Sequence, residues 1–396
     1  MQYLLVLGRE PKLSLAELES LFGAQNIEVL NLKSGTQRSA QNSQKSQNPE
    51  TALAKVTCEN LNLDRLGGTI KAGQILKESL TDYLEKLPTG KITLGISDYS
   101  PKANKKSVWS LALKYKNLLK RHGRNVRLIP NNDGAILSSA ASHHNQLGEK
   151  LNHIEILKYN NTLAISIGTQ NITAYAKRDR ERPARDAFVG MLPPKLAQIL
   201  INIASAGRKD GVVLDPFCGT GVVLQEATLM GYSAYGTDLS DKMIDYSQKN
   251  LDWLKNRTPE LQKTNSPKLY LEQGDATDHQ WKQVKIDCIA SEIYLGHPLS
   301  MAPSSIKLKE YQQSTKELLT KFLKNLAPQI ASGTRLCLAT PAWLRPDGSY
   351  QGVNILDEIE KLGYNTLQYK HAASKDLLYY RDGQIVARQL LILRKQ

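Results

Sequence analysis

Short apolar runs alternate with longer amphipathic stretches along this chain, and the rhythm tightens after about residue 180. Tyr3-Leu4-Leu5-Val6-Leu7 reads as a first strand, because a bounded apolar run of this length is too short for a helix. Ser14-Leu15-Ala16-Glu17-Leu18-Glu19 reads as a helix start, with Ser14 as N-cap and Glu17 completing a capping box. Further strands are expected at 52–58, 91–98, 126–129, 155–159 and 163–169, and helices at 73–87 and 107–122. Residues 35–50 are rich in Gln, Ser and Asn and almost devoid of apolar side chains, which predicts a mobile surface loop. The pattern up to about residue 178 therefore fits two small α+β units.

A charged link with Pro183, running from Lys177 to Asp186, marks a boundary. After it, strands are expected at 211–215, 233–238, 268–272, 285–291, 334–340, 365–370 and 385–393, with helices at 193–206, 222–230, 240–256, 308–327 and 352–362. Strict alternation of this kind predicts an α/β domain with a mostly parallel sheet. The last two strands are joined only by a turn around Arg381-Asp382-Gly383, so the final strand should run antiparallel.

Charge changes the picture. The 396 residues carry a formal net charge of +14, and the excess is concentrated. Between Pro101 and Arg127 stand nine Lys or Arg and no acid: Lys102, Lys105, Lys106, Lys114, Lys116, Lys120, Arg121, Arg124 and Arg127. A solvated helix face normally mixes signs, so a polyanionic partner is expected, and nucleic acid ahead of a membrane surface because a strong apolar face is missing. Four cysteines without metal or redox spacing predict reduced thiols in a cytoplasmic protein and no metal site. The N-terminal apolar run is too short for a signal segment, and no stretch reaches transmembrane length.

The chemistry is concentrated where Gly211-Val212-Val213-Leu214 runs into Asp215-Pro216-Phe217-Cys218-Gly219-Thr220-Gly221. This is a buried strand entering a glycine-rich turn ahead of a helix, where glycine lets the backbone approach a ligand closely. Seventeen residues after Gly221, a second strand ends in Asp238, placed to bind a ribose diol. The phosphate-binding glycine signatures are missing, so a nucleoside cofactor without a pyrophosphate is expected, which points to S-adenosylmethionine. Asp215, Pro216, Gly219 and Gly221 would cradle its methionine end, and Asp275, after the third strand, would accept from the adenine amino group. Each acid could instead serve as a turn or cap residue.

Three stretches carry a resemblance to a known family: Arg182-Pro183-Ala184-Arg185-Asp186 with Gly190-Met191-Leu192-Pro193-Pro194-Lys195-Leu196-Ala197-Gln198, the Asp215–Gly221 turn, and Tyr379-Tyr380-Arg381-Asp382-Gly383-Gln384-Ile385-Val386-Ala387-Arg388. Together they resemble the THUMP-containing tRNA guanine-N2 methyltransferases. Leu7-Gly8-Arg9, Leu13 to Leu18 and Leu137-Ser138-Ser139-Ala140 look like that family's N-terminal segments. The resemblance implies a ferredoxin-like domain at 1–75, a THUMP-like RNA-binding domain at 76–178, and a Rossmann-like seven-stranded class I methyltransferase domain at 179–396. It also implies that the THUMP unit holds the acceptor end of tRNA. Lys102, Lys105, Lys106, Lys120, Arg121, Arg124 and Arg178 are the candidate phosphate contacts.

Amine-methylating relatives end the fourth strand in Asp or Asn, two prolines and an aromatic residue. Here the segment reads Ser291-Glu292-Ile293-Tyr294. Aligned on Tyr294, the stacking ring is kept and Ser291 takes the acid position. Aligned on Glu292, a carboxylate is kept and Leu295 replaces the ring. Tyr294 is read as the ring that stacks on an extruded base, and Glu292 or Ser291 as the group that accepts from the reacting amine. The alternative is a non-catalytic or partner-dependent RNA-binding paralogue, in which an activating protein subunit would join tRNA as partner. A third reading, an adenine-N6 DNA methylase, shares the amine chemistry.

Overall fold

The computed structural model describes residues 1–32, 51–186 and 191–396, so the predicted loop at 35–50 and Gly190 lie outside the described residues. The chain divides into two compact units. Met1–Ser14 with Phe22–Ala174 forms the first, and Leu15–Leu21 with Tyr175–Gln396 forms the second.

The first unit is built on one sheet. Its elements are β1 (Gln2–Leu7), α1 (Pro11–Phe22), β2 (Ile27–Asn31), β3 (Leu53–Thr57), β4 (Thr69–Ile75), α2 (Leu80–Glu85), β5 (Ile92–Asp98), α3 (Lys105–Arg121), β6 (Val126–Leu128), α4 (Ser139–His144), β7 (His153–Tyr159) and β8 (Thr162–Thr169). The strand order is β2-β3-β1-β4-β8-β7-β5-β6. β4 pairs with β1 on one side and β8 on the other, so the sheet runs unbroken past residue 75. The helix expected over 73–87 is thus a strand followed by one and a half turns of helix capped by Ser79, whose side chain accepts from the Asp82 amide. The mixed-polarity run Lys71–Gln74 satisfies its backbone better inside the sheet than a marginal helix would. Ser14 is likewise not an N-cap. α1 already begins at Pro11, and the Ser14 hydroxyl lies inside it, donating to the Gly68 carbonyl at 2.7 Å. Proline is favoured in the first turn because its missing N–H is not needed there. α3 turns Val108, Ala112 and Leu119 into a core that also holds Leu94, Ile96 and Ile156.

α5 (Ile172–Arg180) leads into the second unit. There follow α6 (Pro194–Ser205), β9 (Val212–Asp215), α7 (Val222–Leu229), β10 (Ser233–Asp238), α8 (Asp241–Arg257), β11 (Leu269–Gln273), β12 (Cys288–Glu292), α9 (Ser305–Leu326), β13 (Arg335–Leu344), β14 (Tyr350–Gln351), α10 (Leu356–Ile359), β15 (Tyr364–Thr366), β16 (Leu378–Tyr379) and β17 (Val386–Lys395). The main path of the sheet is β11-β10-β9-β12-β13-β17-β15. The first five strands are mutually parallel, and β17 runs antiparallel between β13 and β15; the turn around Asp382 joins it to β16, with which it also pairs antiparallel. The helix expected over 352–362 is only α10, and the turns that follow it end at Gly363, whose φ is +81°. All four residues of β9 are buried, and Val212, Leu214, Ile289, Leu336 and Leu338 pack against Phe322 and Leu323 of α9. Strands covered on both faces read as continuous apolar runs, which is why these were legible.

Candidate active site

The order of strands locates the site. From β9 the chain winds outward through β10 and β11, then crosses to the other side of β9 to form β12. The crevice at the carboxyl ends of β9 and β12 is a topological switch point, where open α/β sheets bind ligands. Asp215 is the last residue of β9, Asp238 of β10 and Glu292 of β12, and Asp275 stands two residues beyond β11. All four, with Pro216, Gly219, Tyr294 and Leu295, line one cavity of about 890 Å³.

The glycine-rich turn is held from beneath by α8. Ser247 Oγ donates to the Gly219 carbonyl at 2.8 Å, and Asn250 Nδ2 donates to the carbonyls of Thr220 and Ala184, both at 2.9 Å. Asn250 Oδ1 accepts from the Ala184 amide, so one buried amide ties the Arg182–Asp186 stretch to the turn. Gly221 has φ +79°, and a Cβ there would stand 2.8 Å from Ser247 Oγ. Gly219, at φ +51°, would meet nothing within 4 Å, so its missing side chain leaves open space. Neither Ser247 nor Asn250 was singled out from the sequence. Their signal was a polar pair on the otherwise apolar face formed by Met243, Leu251 and Leu254.

The acids divide their oxygens between the fold and the cavity. Asp238 accepts the amides of Gly219 (2.9 Å) and Ser240 (3.0 Å). Asp275 accepts the Thr277 amide at 2.8 Å. Both therefore make the turn contacts weighed against ligand binding, and both also line the cavity; a carboxylate oxygen has lone pairs for each use. Burial pushes the Asp215 carboxyl up to about 7; hydrogen bonds from Ser291 and the Phe217 amide oppose this, and the charges of Asp238 and Glu292 add to it. Burial also raises the carboxyls of Asp238 and Glu292.

The end of β12 corrects one assignment. Ser291 is fully buried, and its hydroxyl donates to Asp215 Oδ1 at 2.6 Å. It holds a cavity acid in place and does not itself reach the cavity. Glu292 reaches it, but its Oε1 accepts from Arg388 Nε of β17, a nearly buried ion pair. Arg388 lay in a stretch that carried the family resemblance, and its pairing across 96 residues is visible only once the sheet forms. Tyr294 is 51% exposed at the cavity, with the His297 ring edge-on to it. α9 adds Ser314, Glu317, Leu318 and Lys321 to the lining, a wall that sequence reading did not supply.

The candidate phosphate contacts separate into two groups. Lys102, Lys106, Lys120 and Arg121 are exposed in the first unit, and Lys105, also exposed, reaches the Asn132 carbonyl at 2.9 Å. Arg124 is instead spent on the carbonyls of Leu87, Pro88 and Gly90. Arg178 forms a two-pronged pair with the buried Glu226, at 2.6 and 3.2 Å, and lies over the Tyr175 ring. These two guanidinium groups stabilise the fold. Among the described residues no group of His, Cys, Asp and Glu could hold a metal ion, and no helix is long and apolar enough to cross a membrane.

Parts of the chain are similar to known proteins. Residues 182–351 match the family described as RMKL-like, methyltransferase domain, and residues 96–249 match one described as DNA methylase. The chain is 27% identical over 168 residues to a tRNA (guanine(10)-N2)-dimethyltransferase of Methanothermobacter thermautotrophicus, a match covering 42% of this chain and 44% of that protein. It is 42% identical over 62 residues to the enzyme of the same name from Pyrococcus abyssi, covering 16% of this chain and 18% of that one. The chain thus spans less than half the length of these curated relatives. Among solved structures, magnesium protoporphyrin IX methyltransferase from Synechocystis PCC 6803 is similar at 15% identity and a TM-score of 0.36, over 57% of this chain and 95% of that one. Residues 182–351 thus resemble the RMKL-like methyltransferase domains, and parts of the chain resemble tRNA (guanine(10)-N2)-dimethyltransferases.

Proposed function

We propose that the chain transfers a methyl group from S-adenosylmethionine to the exocyclic amine, N2, of a guanosine in tRNA. The observation that carries this reading is the convergence of Asp215, Asp238, Asp275 and Glu292 at the ends of four neighbouring parallel strands, around one cavity with an exposed tyrosine. The cavity is of the size that nucleoside-like ligands fill. The donor set fits the cofactor: Asp238 for the ribose hydroxyls, Asp275 for the adenine amino group, and the open space above Gly219 for its close approach. Asp215, whose proton affinity is raised by burial and by two neighbouring carboxylates, is relieved by a cationic ligand.

When bound, S-adenosylmethionine supplies the electrophilic methyl group. The residues of this chain do the rest. Tyr294 stacks on the guanine and fixes the direction of its amine. Glu292, oriented through Oε1 by Arg388, uses its other carboxylate oxygen to accept an amine N–H, stabilise the positive charge that develops on nitrogen, and take the proton that the methylated amine gives up. Ser291 acts through Asp215. The region 76–178 is the RNA-holding, THUMP-like unit, with Lys102, Lys105, Lys106, Lys120 and Arg121 on phosphates, and the enzyme works on tRNA in the cytoplasm.

The test is transfer of labelled methyl to bulk tRNA, followed by nucleoside mass spectrometry for N2-methylguanosine. Tyr294→Ala should lower turnover by about 5- to 150-fold, the range of one base–ring stack, with cofactor affinity unchanged. Glu292→Gln should lower it as well. Label appearing in DNA and not in tRNA would favour amine methylation of DNA, the reading that the DNA methylase match supports. Transfer only after addition of cell extract would identify an activating subunit as a partner. No transfer to either nucleic acid, with or without extract, would leave a non-catalytic RNA-binding paralogue.

A further inference from the structure

α3 carries an aromatic residue that its core does not use. Val108, Ala112 and Leu119 face inward. On the outer side Lys106, Trp109, Leu113, Lys116 and Lys120 follow one another at spacings of three, four, three and four, which places them along one stripe. Trp109 is 43% exposed and Leu113 38%. Among the described residues no carboxylate pairs with Lys106, Lys116 or Lys120, and no ring or cation lies over Trp109, whereas Tyr115 on the same helix lies beneath its own Lys114. An exposed indole costs an apolar penalty that a merely solvated basic helix would avoid.

We infer that this stripe binds an unpaired stretch of RNA, with Trp109 stacking on one base and the lysines following the backbone. The inference rests on the tRNA reading above and adds a second aromatic contact in a different unit from the cavity. Charge selects the occupant: three unpaired ammonium groups along about 21 Å of helix are repelled by one another and complemented by a polyanion. The indole selects unpaired nucleotides, because a base inside a duplex has no free face to offer. Stacking tolerates any base, so the stripe contributes affinity with little sequence preference.

The two parts of the stripe make separable contributions. Phosphate neutralisation is salt-dependent and stacking is not. The experiment titrates the full chain with bulk tRNA at several salt concentrations, comparing wild type, Trp109→Ala and Trp109→Phe, with a short single-stranded RNA and its duplex as competitors. Trp109→Ala should weaken binding about 5- to 150-fold at every salt concentration without changing the salt slope. Trp109→Phe should keep most of the affinity, and the single strand should compete better than the duplex. Wild type that binds tRNA while both variants bind equally well would overturn the stripe alone. Unchanged RNA affinity with an altered sedimentation coefficient in Trp109→Ala would also overturn it, by making the face a protein contact. Wild type that binds no RNA would overturn the stripe together with the functional reading.

Discussion

The two units of this chain treat charge in opposite ways. In the first, cations gather on the outside of α3, few of them paired with an acid. In the second, acids gather inside, at the ends of β9, β10 and β12, where burial pushes all three carboxyls up. Exposed like charges repel weakly because water and salt screen them, so a basic face is inexpensive to keep and binds its partner in a salt-dependent manner. Buried acids are held in an unfavourable state and must be tied down by named groups: Ser291 on Asp215, two backbone amides on Asp238, Arg388 on Glu292. Surface charge here selects a partner, and buried charge prepares a site.

The largest effect should come from removing the support of a buried acid. Arg388→Ala leaves Glu292 with an uncompensated charge and should destabilise the chain by about 3–5 kcal/mol, read from urea unfolding. The double variant Glu292→Gln, Arg388→Met should recover much of that stability, since it removes both charges. If Arg388→Ala unfolds at the wild-type urea concentration, the contrast between the units fails at its buried end.

Reversing Lys106, Lys116 and Lys120 to Glu tests the exposed end. The slope of log affinity for tRNA against log salt should flatten by about one for every phosphate that is no longer neutralised, while unfolding is scarcely altered. Arg124→Ala is the matched comparison. Its guanidinium serves the Leu87–Gly90 turn, so stability should fall and the salt slope should stay as it was. A flattened slope in Arg124→Ala would return that residue to the RNA face.

The smallest effect is in pH. Folding raises the Asp215 carboxyl from its ordinary range to about 7, so the folded chain binds more protons than the unfolded one between about pH 4 and 7. This group's contribution to stability is therefore fullest below pH 4 and is lost as pH rises through 7. A cationic cofactor favours the ionised form. Its affinity should thus rise by no more than about tenfold per pH unit up to pH 7 and then level off, with proton release visible by calorimetry in buffers of different ionisation heat. Asp215→Asn should flatten that profile. A profile that is flat in wild type would separate Asp215 from the bound charge.

How much of this was legible in the chain depended on the range of the interactions. The central strands β9, β10, β12 and β13 were readable because burial on both faces makes an apolar run, and the antiparallel final strand because only a turn and no crossover helix leads into it. The misreadings fell where local preference met a distant partner. Ser14 and Glu17 have the spacing of a capping box, yet Ser14 is drawn to Gly68, and the buried Glu17 accepts from Asn202 at 2.7 Å. Residues 73–87 have helical content, yet β4 is claimed by β1 and β8.

By itself the sequence determined the alternation of strands and helices, the nucleoside-type turn from Asp215 to Gly221, the acids that follow it, and the basic run that becomes α3. Each rests on composition, spacing or backbone freedom, which a linear chain displays. Only the tertiary structure decided what those groups do. It buried Ser291 against Asp215, gave Glu292 to Arg388, set Asn250 beneath the glycine turn, withdrew Arg124 and Arg178 from the phosphate contacts, and left Trp109 outside. Those outcomes were fixed by pairing across dozens of residues in low-dielectric surroundings, where a partner's position outweighs any local preference.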